Sequence, residues 1–101
     1  MKLVIVTAVE EFKTDVLKLF KKANIHNLSR SEIDGYKNST SILMASNWFP
    51  GEEGGNTSGL FFSFTDDKHI DTLFNLIKEF NTTIETNNPV KAVVVPIERF
   101  I

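Results

Sequence analysis

The sequence predicts a single α+β domain in which an antiparallel sheet of four strands carries two helices on one face. Four segments have the short, β-branched, aromatic or alternating composition of strands: 2–9, 25–34, 60–64 and 90–95. Residues 10–22 and 66–82 instead repeat apolar side chains every three or four positions, as amphipathic helices do. The order is therefore βαββαβ, which is the ferredoxin-like or split βαβ arrangement.

Length and composition indicate an ordinary globular domain. The chain has 101 residues, enough for one core, with 42% hydrophobic and 24% charged residues. It contains no cysteine, which excludes disulfides and a cysteine nucleophile. The net charge is −2 and the lysines are scattered, so nucleic acid is not an expected partner. The apolar run 3–9 is too short to span a bilayer and no cleavage site follows it, so we expect a cytoplasmic protein that is not inserted in a membrane.

The first half of the chain predicts a strand, a helix and an edge strand. Thr7 and Glu10 have the spacing of a capping box that would start helix one, and Asn24 is a suitable residue to end it. The apolar stripe of this helix consists of Phe12, Val16, Leu19, Phe20 and Ala23. Residues 25–34 alternate weakly between apolar and polar, which favours a half-exposed edge strand.

The second half predicts a strand at 60–64, a helix and a last strand. Thr65 or Asp66 caps helix two. The apolar stripe of this helix consists of Ile70, Leu73, Phe74, Ile77 and Phe80. Pro96 ends the last strand and favours an edge position, because proline cannot donate to a ladder. Right-handed crossovers place the first and third strands at the centre of the sheet.

The first and last strands predict an oligomer. Their apolar residues alternate in two sets, Leu3, Ile5, Val93 and Val95 in one and Val4, Val6 and Val94 in the other. Both faces of these strands are therefore apolar, whereas two helices cover only one face. We expect another molecule to bury the second face.

The segment 35–59 fits neither a helix nor a buried strand, and we expect a long flexible loop. Loops of this length are uncommon inside compact domains and are often binding elements. Trp48 and Phe49 lie near its middle, followed by Pro50. They either pack back on the domain or anchor a protein partner, as aromatic hot spots do. The sequence leaves both alternatives open.

Three stretches resemble a known family: 32–36 (EIDGY), 60–67 (LFFSFTDD) and 91–100 (KAVVVPIERF). They resemble the loop base, the third strand with its acidic turn, and the last strand of the nitrogen regulatory protein PII family and its PII-like relatives. The resemblance extends over essentially the whole chain. It implies a homotrimer that binds a small ligand or ion in clefts between subunits. It also implies that the long loop regulates a protein partner, such as a membrane transporter.

The resemblance further implies where the ligand binds. The residues that match the cleft of the family are Gly35, Lys37, Phe64, Thr65, Asn87, Asn88, Lys91 and Arg99. Lys37 and Lys91 favour an anionic ligand, although lysines at a sheet edge can also serve only to prevent aggregation. The glycine-containing phosphate loop of the family is replaced by 86–91 (TNNPVK), which has no glycine. ATP and ADP are therefore not predicted, and the cofactor stays unknown.

A second function is a metal-binding PII-like or CutA-like protein linked to metal efflux or tolerance. His26, Met44 and His69 are the candidate ligands, and copper, zinc or another divalent cation is the candidate metal. The two histidines are not closely spaced, so solvent-exposed histidines are the simpler interpretation. Neither a Ser-His-Asp nor a metal-hydrolase nor a glycine-rich phosphate signature is present, so the sequence predicts no enzyme.

Overall fold

The described part of the chain contains four strands and two α-helices. They are β1 (Lys2–Val9), α1 (Lys13–Lys22), β2 (Leu28–Asp34), β3 (Thr57–Thr65), α2 (Asp67–Thr82) and β4 (Lys91–Pro96). The structure is a computed structural model that describes residues 1–34 and 57–101. The strands form an open antiparallel sheet in the order β2-β3-β1-β4. The ferredoxin-like α+β class and the central positions of β1 and β3 are thereby confirmed.

The pairing of β1 with both of its neighbours sets the register of the sheet. Val4 lies opposite Ser63 on β3 and opposite Val94 on β4. Because side chains alternate along a strand, Val4, Val6 and Ala8 point to one face, and all three are buried. The odd-numbered residues of β1 point to the other face.

Side chains from one face of the sheet and from both helices form the core. Val4, Phe20, Phe61 and Leu73 are fully buried. The rings of Phe20 and Phe61 lie 6.3 Å apart between centroids, which joins α1 to β3. Each large side chain that leaves water contributes about 1.5–3 kcal/mol before entropy is subtracted. The apolar stripes predicted for both helices are confirmed as the faces that contact this core.

The predicted start of helix one is wrong. Thr7 lies inside β1, where its backbone pairs with β3 and β4, so it caps no helix. A 3₁₀ turn at Glu10–Phe12 follows the strand, and α1 begins only at Lys13; neither has a side-chain cap. The Glu10 carboxylate instead accepts a hydrogen bond from Nη2 of Arg30, with 3.0 Å between Oε1 and Nη2. Glu10 therefore ties this turn to β2.

Asn24 ends α1 as predicted. Its φ of 61° lies in the left-handed region, and asparagine tolerates this conformation better than most residues. The Asn24 N–H donates to Lys21 O, and the Ile25 N–H donates to Phe20 O, with a donor–acceptor distance of 3.0 Å in both bonds. These two bonds form a Schellman motif. The predicted start of strand two at Ile25 is wrong, because this turn places Ile25 in the core and the strand begins at Leu28.

The predicted loop 35–59 is also too long at its C-terminal side. Thr57, Ser58 and Gly59 belong to β3 and pair with its neighbours. A Cβ on Gly59 would lie 3.1 Å from Cε1 of Phe61, so the absence of a side chain lets the Phe61 ring approach the backbone. The segment 35–56 lies outside the described residues. It contains five residues for which a role is predicted: Gly35, Lys37, Met44, Trp48 and Phe49.

Asp66 caps α2, as one of the two predicted alternatives. Its Oδ1 accepts a hydrogen bond from the backbone N–H of His69 at 3.1 Å, which satisfies one of the free donors of the first helical turn.

Within residues 1–34 and 57–101, neither α1 nor α2 is long and apolar enough to cross a membrane.

Candidate functional site

The face of the sheet away from the helices carries a cluster of apolar side chains. Two adjacent rows across β3, β1 and β4 make up this open apolar face: Phe64, Leu3 and Val95 in one row and Phe62, Ile5 and Val93 in the next. Phe64 is 47% exposed and Val95 is 40% exposed. The predicted apolar character of both faces of β1 and β4 is thus confirmed.

This exposure is unusual for large apolar side chains within a sheet. The helices of the same chain contact the opposite face, through Val4, Val6 and Phe61. Soluble monomers rarely expose contiguous apolar patches larger than a few hundred Å², and larger patches mark interaction sites. The open apolar face is therefore suited to contact a second protein surface.

The same face becomes polar toward the other end of the sheet. The next row contains Leu60, Thr7 and Lys91, and Ser58 lies diagonally beside Thr7. Thr7 is 1% exposed and Ser58 is 2% exposed, and within residues 1–34 and 57–101 neither hydroxyl group has a hydrogen-bond partner. Lys91 is half-buried and takes no part in the described ion pairs. Hydroxyl donors on the same sheet face as a lysine suit a small anion or another polar ligand.

The predicted ligand-binding residues are divided between the two ends of the sheet. Lys91 lies opposite Thr7, whereas Thr65 lies opposite Lys2 at the beginning of β1. Lys2 and Thr7 are five residues apart on β1, which corresponds to about 17 Å at the usual rise of an antiparallel strand. Asn87 and Asn88 are at the Lys91 end, while Phe64 is beside Thr65 and Arg99 follows β4. A single protomer does not bring the two sets together, so a cleft containing both requires a second copy.

Residues 88–90, directly before β4, do not present a free amide N–H to a phosphate group. The Asn88 N–H donates to Oγ1 of Thr86 at 2.9 Å, and the Val90 N–H donates to Oδ1 of Asn81 at 3.0 Å. Pro89, between them, has no N–H. Residues 88–90 therefore have no free amide N–H with which to cradle a phosphate, in agreement with the lack of glycine in this turn.

His69 is part of the N-terminal cap of α2. Its Nδ1 lies 2.6 Å from Oδ1 of Asp66. The hydrogen bonds from the ring and the backbone of His69 lower the pKa of the Asp66 carboxyl below its ordinary value of 3.8. His26 is exposed between α1 and β2, and Met44 is outside the described residues. In the two described stretches, 1–34 and 57–101, no three His, Asp or Glu residues form a group that could hold a metal.

Sequence reasoning predicted Lys91 but missed Thr7 and Ser58, which the register places on the same sheet face. Thr7 interrupts an apolar run, and this interruption was the available signal for its special position. Arg30 gave no such signal, because its contacts depend on how β2 pairs. Its Cζ lies 5.7 Å from the centroid of the Phe61 ring, and its guanidinium binds Glu10. Arg30 thus holds the edge strand β2 against the helix side of the sheet.

The fold and the site define a ferredoxin-like α+β domain with one exposed apolar sheet face and a polar end beside it. The sequence matches no protein-family model, and no curated protein is significantly similar to it.

Proposed function

We propose that the protein is a cytoplasmic, PII-like regulatory binding module that acts as a homotrimer and performs no catalysis. In this function it senses a small ligand in the clefts between subunits and regulates a protein partner, a membrane transporter. The observation that carries the proposal is the open apolar face, on which Phe64, Val93 and Val95 are each more than one third exposed. Three such faces around a threefold axis bury one another, and the cyclic arrangement leaves no interface open.

The division of the site supports a multi-subunit cleft. Lys91 and Thr65 are at opposite ends of β1 within one protomer. In a trimer, the Thr65 end of one subunit can approach the Lys91 end of the next, which a monomer cannot achieve. Assembly and ligand binding are then coupled, because each cleft needs two subunits.

The polar end of the face indicates the chemistry of the ligand. Thr7 and Ser58 offer buried hydroxyl groups that have no partner among the described residues, and Lys91 supplies a positive charge on the same sheet face. A small carboxylate or phosphate ion matches this combination. A nucleotide matches it less well, because the amides of residues 88 and 90 are already bonded.

The partner contact is assigned to Trp48 and Phe49, which lie outside the described residues. Burial of a tryptophan in a partner can contribute about 2 kcal/mol or more. Trp48 is the single tryptophan of the chain, so its fluorescence reports on this segment alone. We expect emission that acrylamide quenches readily in the free protein. A blue-shifted, poorly quenched emission would show that Trp48 is buried without a partner, and would contradict this assignment.

Light scattering tests the assembly. We expect a mass three times the protomer mass of 11.4 kDa at micromolar concentration. A monomer mass under these conditions would overturn the proposed trimer.

A thermal-shift panel tests the ligand. Phosphate, small carboxylates, nucleotides and divalent cations are added to the wild-type chain and to Lys91→Ala. A ligand at one hundred times its Kd stabilises the folded state by about 2.7 kcal/mol. We expect an anion to raise the Tm of the wild type but not of Lys91→Ala, while Lys18→Ala, at an exposed position on α1, retains the shift. A shift with copper or zinc and with no anion would instead favour the metal-binding function.

A further inference from the structure

A groove lies between α2 and the start of β4, on the helix side of the sheet. It has a volume of about 210 Å³. It is lined by Phe74, Ile77, Lys78, Asn81, Val90 and Ala92. Because β4 is an edge strand, the groove opens beside the edge of the sheet. Its floor is apolar, and its size suits one aromatic side chain.

The groove has one charged residue. Lys78 is exposed and takes no part in the described ion pairs. Phe74 and Lys78 are four residues apart on α2, so they lie on the same side of the helix about 6 Å from each other along its axis. A segment that binds here should carry a large apolar side chain and a carboxylate at a similar spacing.

The segment 97–101, which follows β4, carries these two groups. Phe100 is 79% exposed, and Glu98 is exposed without a described ion pair. In an extended chain, residues 98 and 100 point to the same side and are about 6.7 Å apart. This spacing agrees with that of Lys78 and Phe74, when the segment runs antiparallel to α2.

We propose that the segment 97–101 of one copy of the chain binds the groove of a second copy. Phe100 fills the apolar part against Phe74 and Ala92, and Glu98 pairs with Lys78. The groove in the same chain is a poor site for this segment. The segment leaves β4 at Pro96, four residues beyond Ala92, and would have to reverse its direction at once.

Such a contact joins two different surfaces, the segment of one copy and the groove of the next. Contacts of this kind form closed rings when the rotation between copies allows it. The contact is small, so it would add to a larger interface between copies. The inference therefore rests on the proposed homotrimer, but it does not depend on ligand sensing.

Engineered cysteines test the contact, because the chain has no cysteine of its own. Chains with Ile101→Cys, which keep Phe100, are mixed with chains with Ala92→Cys and oxidised mildly, and the yield of mixed disulfide dimer is measured on a denaturing gel. We expect a yield at least severalfold higher than with Leu17→Cys, an exposed position on α1, in place of Ala92→Cys. Equal yields from the two mixtures would overturn the proposal.

A charge exchange tests the pair of Glu98 and Lys78. Lys78→Glu in the groove chain should lower the disulfide yield severalfold, and Glu98→Lys in the segment chain should restore it. A chain that carries both engineered cysteines, one in the segment and one in the groove, is tested in the same way. A disulfide that forms only within this chain would overturn the contact between copies. Light scattering of the wild type separates the two proposals. A trimer mass together with no mixed disulfide would rule out only the segment contact. A monomer mass would rule out the trimer.

Discussion

The side chain of Asn81 forms two hydrogen bonds with the backbone of Val90. Its Nδ2 donates to Val90 O at 2.9 Å, and its Oδ1 accepts from the Val90 N–H at 3.0 Å. The amide of Asn81 thus pairs with Val90 as a neighbouring strand would. Val90 is 3% exposed, so water cannot replace these bonds. The contact connects the last turn of α2 to the start of β4 and fixes the position of Lys91.

Replacement of Asn81 by alanine should destabilise the protein more than is usual for a residue at the end of a helix. Asn81→Ala leaves the N–H and C=O of the buried Val90 without partners, and each unsatisfied group costs about 1–3 kcal/mol. We expect a loss of about 2–4 kcal/mol in urea unfolding. Asn75→Ala, at an exposed position of the same helix, is the control and should be close to neutral. Equal losses for both variants would show that the two bonds to Val90 have no special weight.

Leu73 should be among the most sensitive core positions. It is fully buried in the centre of the stripe of α2. Leu73→Ala removes buried methyl groups and leaves a cavity, so we expect a loss of about 2–5 kcal/mol of unfolding free energy. Leu17→Ala is the matched control, because Leu17 is a helical leucine that is 37% exposed. Its loss should be about 1 kcal/mol or less, and a comparable loss for both would contradict the described packing of α2.

The order of the elements could be predicted because each element has its own periodicity. The stripe of α2, with Ile70, Leu73 and Ile77 at spacings of three and four, required no knowledge of the rest of the chain. The start of β3 could not be predicted in this way. Gly59 has a low strand propensity, but its pairing with β1 on one side and β2 on the other outweighs it.

The site was less accessible to prediction than the fold. The spacing of Thr7 to Glu10 predicts a helix cap, but the backbone of Thr7 belongs to the β1 ladder. Its position beside Ser58 and Lys91 depends on the register of three strands. Register is a tertiary property, because a shift by one residue would place Thr7 on the opposite face.

Gly59 is required by the close approach of Phe61. In Gly59→Ala the new Cβ would lie 3.1 Å from Cε1 of Phe61, and the ring is fully buried, so it has little room to move. We expect a loss of about 1–3 kcal/mol in urea unfolding. The test is a double-mutant cycle with Phe61→Leu. The smaller side chain of leucine should reduce the loss of unfolding free energy caused by Gly59→Ala. If the loss is unchanged, it arises from the backbone and not from the Phe61 ring.

Asp66 should make the stability depend on pH in the acid range. The bonds from His69 lower the pKa of Asp66 in the folded protein below its ordinary value of 3.8. A lowered pKa means that the ionised form is stabilised by folding. The contribution is therefore complete above about pH 3.8 and is lost as the pH falls through the folded pKa.

Asp66→Asn isolates this contribution, because asparagine can still accept the bond from the His69 N–H but does not titrate near this pH. We expect the stability difference between wild type and Asp66→Asn to decrease when urea unfolding is repeated at about pH 2.5 instead of about pH 5. Asp71→Asn, an exposed position on α2, serves as the control for general acid effects. The same pH dependence in both variants would exclude a special role for Asp66.

The open apolar face makes the most direct prediction about assembly. Phe64 is 47% exposed in the protomer, so a lysine there keeps its charge in water and should leave the protomer fold intact. In a trimer the same charge is buried among apolar side chains, and an unpaired buried charge is costly. Phe64→Lys should therefore shift the mass from trimer to monomer, while far-UV circular dichroism remains that of the wild type.

Leu17→Lys is the matched control, because Leu17 is a similarly exposed apolar residue of the helix layer. It adds the same charge away from the sheet face and should keep the trimer mass. If Leu17→Lys dissociates the assembly and Phe64→Lys does not, the interface lies on the helix side, and the open apolar face has lost its assigned role.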